Sequence, residues 1–127
     1  KNQKEDFIMV SCYKEINSEI ADDANYVKVV IDSNNYAIYF SRAKIPYHRD
    51  HYKNKPYYGH LGVYGFDRKS LKKFCNLKNS QLENIEKLEQ LRAIENNLPI
   101  KMVKVTSQSF GIDTKEDLEN AIKLFGE

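Results

Sequence analysis

The stretch that most constrains the fold is Ser80–Arg92, which reads SQLENIEKLEQLR. Ser80 followed three residues later by Glu83 is a capping box: each side chain accepts from the other residue's backbone N–H, so a helix starts here. Leu82, Ile85, Leu88, Leu91 and Ile94 then recur at helical spacing. The pattern predicts one helix over Ser80–Asn97, with Asn96–Asn97 marking its end. At the ideal helical step Leu82, Ile85, Leu88 and Ala93 share one arc, and Glu89 and Arg92 fall inside it. Glu86 and Gln90 lie at its edge. A face that only packs a core excludes charge. Polar groups placed there either pair with one another, as Glu89 and Arg92 would at i, i+3, or line a cleft.

The chain around this helix alternates between strand and helix patterns. Phe7–Tyr13 is an apolar run that reads as a buried strand, and Ser18–Ala24 as a short helical turn capped by Ser18. Val27–Asp32 and Tyr36–Arg42 are strands joined by Ser33–Asn35, whose side chains bond their own backbone and tolerate positive φ, so the pair forms a hairpin. Ala43–Pro56 is a long loop carrying Pro46, His48, His51 and Pro56, and loops of that length are more often functional than mere connectors. Tyr58–Phe66 is a strand whose alternation puts His60, Gly62 and Tyr64 on one face and Leu61, Val63 and Gly65 on the other. Asp67–Asn76 is a short helix, Ile100–Thr106 a strand and Phe110–Asp113 a loop. A last helix, Thr114–Phe125, has Thr114 as N-cap and Gly126 past its end, with Ile112, Leu118, Ile122 and Phe125 on its core side. The sum is one α/β layered domain with a mixed sheet and no internal repeat or linker.

Composition removes several classes of function. At 127 residues the chain buries one modest core, and a net charge of +2 is too small to argue for nucleic acid. No apolar run approaches the roughly 20 residues that span a bilayer. The first six residues are polar, which speaks against a signal peptide. The chain opens on Lys1 in mid-run, which suggests part of a longer protein. Cys12 and Cys75 have no partner spacing and read as free thiols in a reducing cytoplasm.

Four groups could carry chemistry. One is the polar set Glu86, Glu89, Gln90 and Arg92, with the ion-pair reading open beside it. A second is His60 with Tyr64, four apart on one strand face among Gly59, Gly62 and Gly65, which leave room for a ligand or another backbone. A third is Arg42 and Arg49 with His48 and His51; an arginine on a cleft loop holds carboxylate or phosphate through parallel hydrogen bonds, or is simply solvated charge. His48 and His51 lack further ligands for zinc. The fourth is Asp113, either an ordinary helix-start carboxylate or one that holds Mg²⁺ beside phosphates. No glycine-rich phosphate loop is present, so if the chain serves a nucleotide enzyme, the phosphate-binding part lies outside it.

Five stretches in order, VKVVID, YAIYFSRAKIPYHRD, GHLGVYGF, LENIEKLEQLRAIE and GIDTKEDLENA, resemble the C-terminal half of the 3-deoxy-manno-octulosonate cytidylyltransferases, the CMP-KDO synthetase family. The resemblance runs from about Val27 to Ala121. It implies a Rossmann-like nucleotide-sugar transferase fold with a mixed sheet, here only its C-terminal portion. It implies an enzyme that joins CTP and KDO to give CMP-KDO and pyrophosphate for lipopolysaccharide synthesis, with Mg²⁺ as cofactor, as a cytoplasmic homodimer. By matching motif, Arg42 and Arg49 become anion ligands, His60 and Tyr64 sugar-pocket residues, Glu89 and Gln90 partners of sugar hydroxyls, and Asp113 a metal-holding aspartate. Arg92 would then hold Glu89 in place. The family's amino-terminal nucleotide loop and QGDEP-type motif are not in this chain, and its loop at Asp50–Tyr58 is short for the family. Two other readings remain: a cytidylyltransferase for a different acid sugar of sialic-acid type, and a non-catalytic binding or dimerisation module.

Overall fold

A computed structural model of the chain describes residues 7–50 and 55–106. Among the described residues five strands and four short helices follow one another as β1 (Met9–Ile16), α1 (Ser18–Ala21), β2 (Lys28–Ile31), β3 (Ala37–Ser41), β4 (Tyr57–Phe66), α2 (Arg68–Cys75), α3 (Gln81–Glu86), α4 (Leu91–Glu95) and β5 (Lys101–Lys104). The strands form one mixed sheet in the order β3-β2-β4-β1-β5, antiparallel except for the β1–β5 pair. The two edges meet at one end: Tyr36 bridges Lys101, Ala37 N–H donates to the Ile100 carbonyl at 2.9 Å and Met102 N–H to the Asn35 carbonyl at 2.7 Å. The sheet is therefore curled on itself there.

The predicted hairpin is present. Asp32 accepts at its side chain from the Asn34 and Tyr36 amides, and Asn35 takes the left-handed conformation at φ 69° that Asn tolerates. The cap of α1 is Asn17, one residue before the expected Ser18; its side chain accepts from Ile20 N–H at 2.9 Å. In α2, Asp67 accepts from Ser70 N–H, and the Ser70 hydroxyl accepts from Ile8 N–H at 2.7 Å, which fixes the helix to the start of β1.

The main core lies on one face of the sheet, where Met9, Tyr13, Val29, Phe40 and Met102 meet Phe74, Leu88, Leu91, Ala93 and Leu98 from the helical side. On the opposite face Val10, Cys12 and Val105 pack with Leu61, Val63 and Val103. Both cysteines are unbridged, and burial pushes the Cys12 thiol up to about 11.

One expectation is corrected. The single helix over Ser80–Asn97 is two, broken at Lys87, which sits in the left-handed region at φ 58°. The capping box at Ser80 and Glu83 forms as expected. The break re-phases the apolar positions, so that Leu88, Leu91 and Ala93 are buried while Ile85 is 66% exposed. A left-handed turn at a residue with a Cβ costs about 1 kcal/mol, and the carbonyls it frees need partners. Arg42 supplies them: its Nε donates to the Glu86 carbonyl at 2.8 Å and its Nη2 to the Lys87 carbonyl at 3.2 Å. At the other end, Glu95 of α4 accepts from Leu82 N–H at 2.9 Å. Arg92 spans the break to Glu83, with Nε on Oε1 at 2.9 Å and Nη2 on Oε2, its guanidinium over the Phe74 ring. Of the two readings left open, the i, i+3 ion pair with Glu89 is not the one seen: the two-helix path brings Arg92 to Glu83 instead. The Arg92 hydrogen bonds hold the Glu83 carboxyl below its ordinary range.

The helix over Thr114–Phe125, the loop Phe110–Asp113 and His51 lie outside the described residues.

Candidate functional site

The site grows from an irregularity in β4. Ser11 is opposite Tyr64 and Cys12 is opposite Leu61, so Gly62 and Val63 have no partner on β1 and form a bulge. Because the bulge adds an even number of residues, His60 and Tyr64 keep the same face, as the alternation predicts. Their rings lie 5.5 Å apart, and Phe40 packs edge-on to His60 at 4.8 Å. The Ser11 hydroxyl fills the bulge, reaching the Val63 carbonyl at 2.8 Å, the Leu61 carbonyl at 3.2 Å and His60 Nε2 at 2.8 Å.

Those distances assign the histidine. The Ser11 hydroxyl has one proton and gives it to a carbonyl, so its oxygen accepts from His60 Nε2–H. The Nδ1 lone pair then faces the side-chain amide of Gln90 at 3.4 Å, a long contact. Burial pushes the His60 pKa down to about 4, so the ring is neutral at neutral pH. It serves as a fixed neutral dipole.

His60, Tyr64 and Gln90 line a cavity of about 400 Å³ together with Asn25, Tyr26 and Leu88. A neighbouring cavity of about 170 Å³ shares Tyr64 and Gln90 and adds Glu89, which is exposed. Among the described residues the Gln90 amide oxygen and the Tyr64 hydroxyl have no hydrogen-bond partner, yet no side-chain polar atom there is both sealed and unsatisfied. Both groups thus keep some accessible surface, and both residues line the cavities. Burial raises the Tyr64 phenol, with the Glu89 charge adding to it, so the hydroxyl stays protonated. Of the sequence-predicted residues, the fold brings His60, Tyr64, Glu89 and Gln90 together.

The other predicted residues are elsewhere. Arg42, expected among the anion ligands, donates to the carbonyls of Glu86, Lys87 and Ala24 and lines neither cavity. Its backbone N–H donates to the Glu86 carboxylate at 2.8 Å, and Tyr39 donates to the same group. Burial pushes the Glu86 carboxyl up, but hydrogen bonds from Ser41, Arg42 and Tyr39 outweigh it and the net shift is down. Glu86 thus belongs to the frame. Arg49 is exposed on the loop and lines neither cavity, while His48 stacks on Tyr57 at 4.1 Å. Asp113 lies outside the described residues, and among the described residues no three His, Cys, Asp or Glu groups cluster as a metal site. No helix there is long and apolar enough to cross a membrane. The sequence reading missed Ser11. Its one signal is a hydroxyl inside the otherwise apolar run Ile8–Cys12, which demands a buried partner.

Comparison with known proteins gives this geometry a setting. Residues 1–105 match the model of the cytidylyltransferase family. The chain is 50% identical to the 3-deoxy-manno-octulosonate cytidylyltransferase of Wolinella succinogenes, over 94% of this chain and 50% of that protein. It is 52% identical to the protein of that name from Helicobacter pylori strain HPAG1, over 92% and 49%. A solved structure of CMP:2-keto-3-deoxy-manno-octonic acid synthetase complexed with CTP superposes with a TM-score of 0.74 at 32% identity, covering 94% of this chain and 49% of that one. The chain spans about half the length of the curated relatives it matches. With a family model matched over most of its length, the chain belongs to the cytidylyltransferase family.

Proposed function

We propose that this chain is the sugar-binding half of an enzyme that joins CTP and 3-deoxy-manno-octulosonate, giving CMP-KDO and pyrophosphate for lipopolysaccharide synthesis. The observation that carries the reading is the pair of adjoining cavities. The Gln90 amide oxygen, the Tyr64 hydroxyl and the Glu89 carboxylate converge there beside a neutral His60. Unspent acceptors and donors around an open, partly apolar cavity suit a polyhydroxylated ligand. Gln90 and Glu89 accept from sugar hydroxyls, and Tyr64 donates. Ser11 locks the His60 ring, so the site is ordered before the sugar arrives, which is where positioning gains its rate.

In the reaction the sugar's anomeric hydroxyl attacks the α-phosphorus of CTP and pyrophosphate leaves. The work assigned to this chain is holding that hydroxyl in line. Arg49, exposed on its loop, is our candidate for the sugar carboxylate, and Arg42 is assigned to the frame. Mg²⁺ would neutralise phosphate charge, and Asp113 is proposed as one of its carboxylate ligands. The family likeness supports a cytoplasmic homodimer.

The test is pyrophosphate release from CTP by the full-length protein. Release that requires KDO and Mg²⁺ is expected. Release with a sialic-acid-type sugar and none with KDO would move the assignment to the other acid sugar. None with any acid sugar, with nucleotide binding absent, would leave a binding or dimerisation module.

A further inference from the structure

The 400 Å³ cavity has one wall that neither the sequence motifs nor the proposed reaction uses, the turn at Asp23–Tyr26 that leads into β2. Its key side chain is Tyr26. A Cβ added at Gly59 would overlap the Tyr26 ring, so the ring lies directly on the β4 backbone one residue before His60. Behind the ring are Ile16, Ala21 and Tyr57, a small apolar cluster of their own. Val27 then accepts from His60 N–H at 2.8 Å, which joins the wall to the site's central residue.

What holds this turn is unusual. Lys28 is fully buried, at 0% exposure, and no carboxylate lies within ion-pair reach of it among the described residues. Its ammonium donates instead to two carbonyls of the turn, that of Asp23 at 2.8 Å and that of Tyr26. Arg42 Nη1 donates to a third, that of Ala24, at 3.2 Å. A buried ammonium is costly unless its hydrogen bonds are made, so Lys28 binds the turn to β2 tightly. Leaving any of those bonds unmade would strand a charge in the interior.

We propose that Tyr26 is a specificity-determining wall of the sugar cavity and that Lys28 is the positioning residue that seats it. The inference rests on the reading that this cavity takes an acid sugar. By strand alternation Gly59 and Leu61 face away from His60, so the ring borders the cavity on its Leu61 side and limits how far a sugar held at His60 and Gln90 can extend past the edge of β4. Removing the ring opens room for a longer acid sugar. Removing the ammonium frees the turn and lets the ring drift.

The experiment compares wild type, Tyr26→Ala, Gly59→Ala and Lys28→Met as full-length proteins. Turnover is measured with CTP against KDO and against a nine-carbon acid sugar, alongside amide exchange over residues 23–27. Tyr26→Ala is expected to raise the KDO KM about tenfold at unchanged CTP KM, and to shift preference toward the nine-carbon sugar by a similar factor. Gly59→Ala, whose added Cβ displaces the ring from β4, should also raise the KDO KM. Lys28→Met should do so too and should speed exchange over 23–27 about tenfold. A KDO KM and sugar preference within twofold of wild type in Tyr26→Ala would overturn the specificity role. Unchanged exchange in Lys28→Met would overturn the positioning role. If Lys28→Met fails to fold, the other two variants still decide the specificity role, and exchange over residues 23–27 in the wild type decides the positioning role, which rates at the unprotected limit would overturn. Wild type inactive with every acid sugar sinks the functional reading and the specificity role together, and the exchange comparison then decides the seating of Tyr26 separately.

Discussion

Two sets of polar side chains grow from the same short stretch, and they differ in how they close. In the clasp across the helix break, Glu83 receives Arg92 twice and Ser80 once, Arg92 also reaches Asn79, and Arg42 gives its guanidinium to three carbonyls. Every strong group there meets a protein partner. A few residues on, Gln90 and Tyr64 stop short: one long hydrogen bond joins Gln90 to His60, and the Gln90 oxygen and the phenol have no protein partner at the cavity they line. In sequence, Arg92 of the first set falls inside the apolar arc of the stretch and Gln90 of the second at its edge, and nothing local tells the two apart. A saturated network specifies the fold, and an unsaturated one beside a cavity is available to a ligand.

The sharpest way to break this comparison is to open the closed set. The Glu83 and Arg92 side chains are only 11% and 13% exposed, so Arg92→Met should destabilise the protein by about 3 to 4 kcal/mol, measured as a shift of the urea midpoint. Adding Glu83→Leu should recover part of the loss, because the stranded carboxylate is removed. A loss below about 1 kcal/mol would class the pair with ordinary surface ion pairs.

Next comes the histidine between the two sets. Its folded pKa of about 4 lies below the ordinary 6.5. Between these values the unfolded chain binds a proton that the folded chain refuses, so stability falls as the pH drops through that window. The full loss is about 3 kcal/mol at the acid end. Urea midpoints measured from pH 7 to 4 should show this slope, and His60→Gln should flatten it. An imidazole titrating near 6.5 by NMR would mean that the ring is not held as described.

The smallest effect concerns the open set. Gln90 is 4% exposed but its one side-chain hydrogen bond is long, so Gln90→Ala should cost only lost packing, about 1 kcal/mol in the urea midpoint, while raising the KM for the sugar about tenfold, roughly 1.4 kcal/mol. A large loss of stability with unchanged sugar KM would move Gln90 into the structural set.

Legibility in the sequence follows the range of the interactions. The capping box, the Asp32–Asn35 turn and the period-two face of His60 and Tyr64 are local chemistry, and the fold keeps them. The break at Lys87 is not local. Lysine carries no left-handed signal of its own, and the carbonyls released there are taken by Arg42, 45 positions earlier for the Lys87 carbonyl. Ser11 escapes for the same reason, since its partners are on β4, about 50 residues on. The four residues that reach the cavities were legible because strand alternation and polar residues in and beside the apolar arc of one helical stretch are short-range patterns. The role of Arg42 was not, because its motif position says nothing about where its N–H groups end.

The tie between the sheet's two ends has a further consequence. Edge strands expose unpaired N–H and C=O groups that invite a foreign strand, a common route to aggregation. Here the Asn35–Ala37 segment and the Ile100–Met102 segment spend those groups on each other. At this end the sheet offers no template for strand addition, so association through it would first require prising the two segments apart.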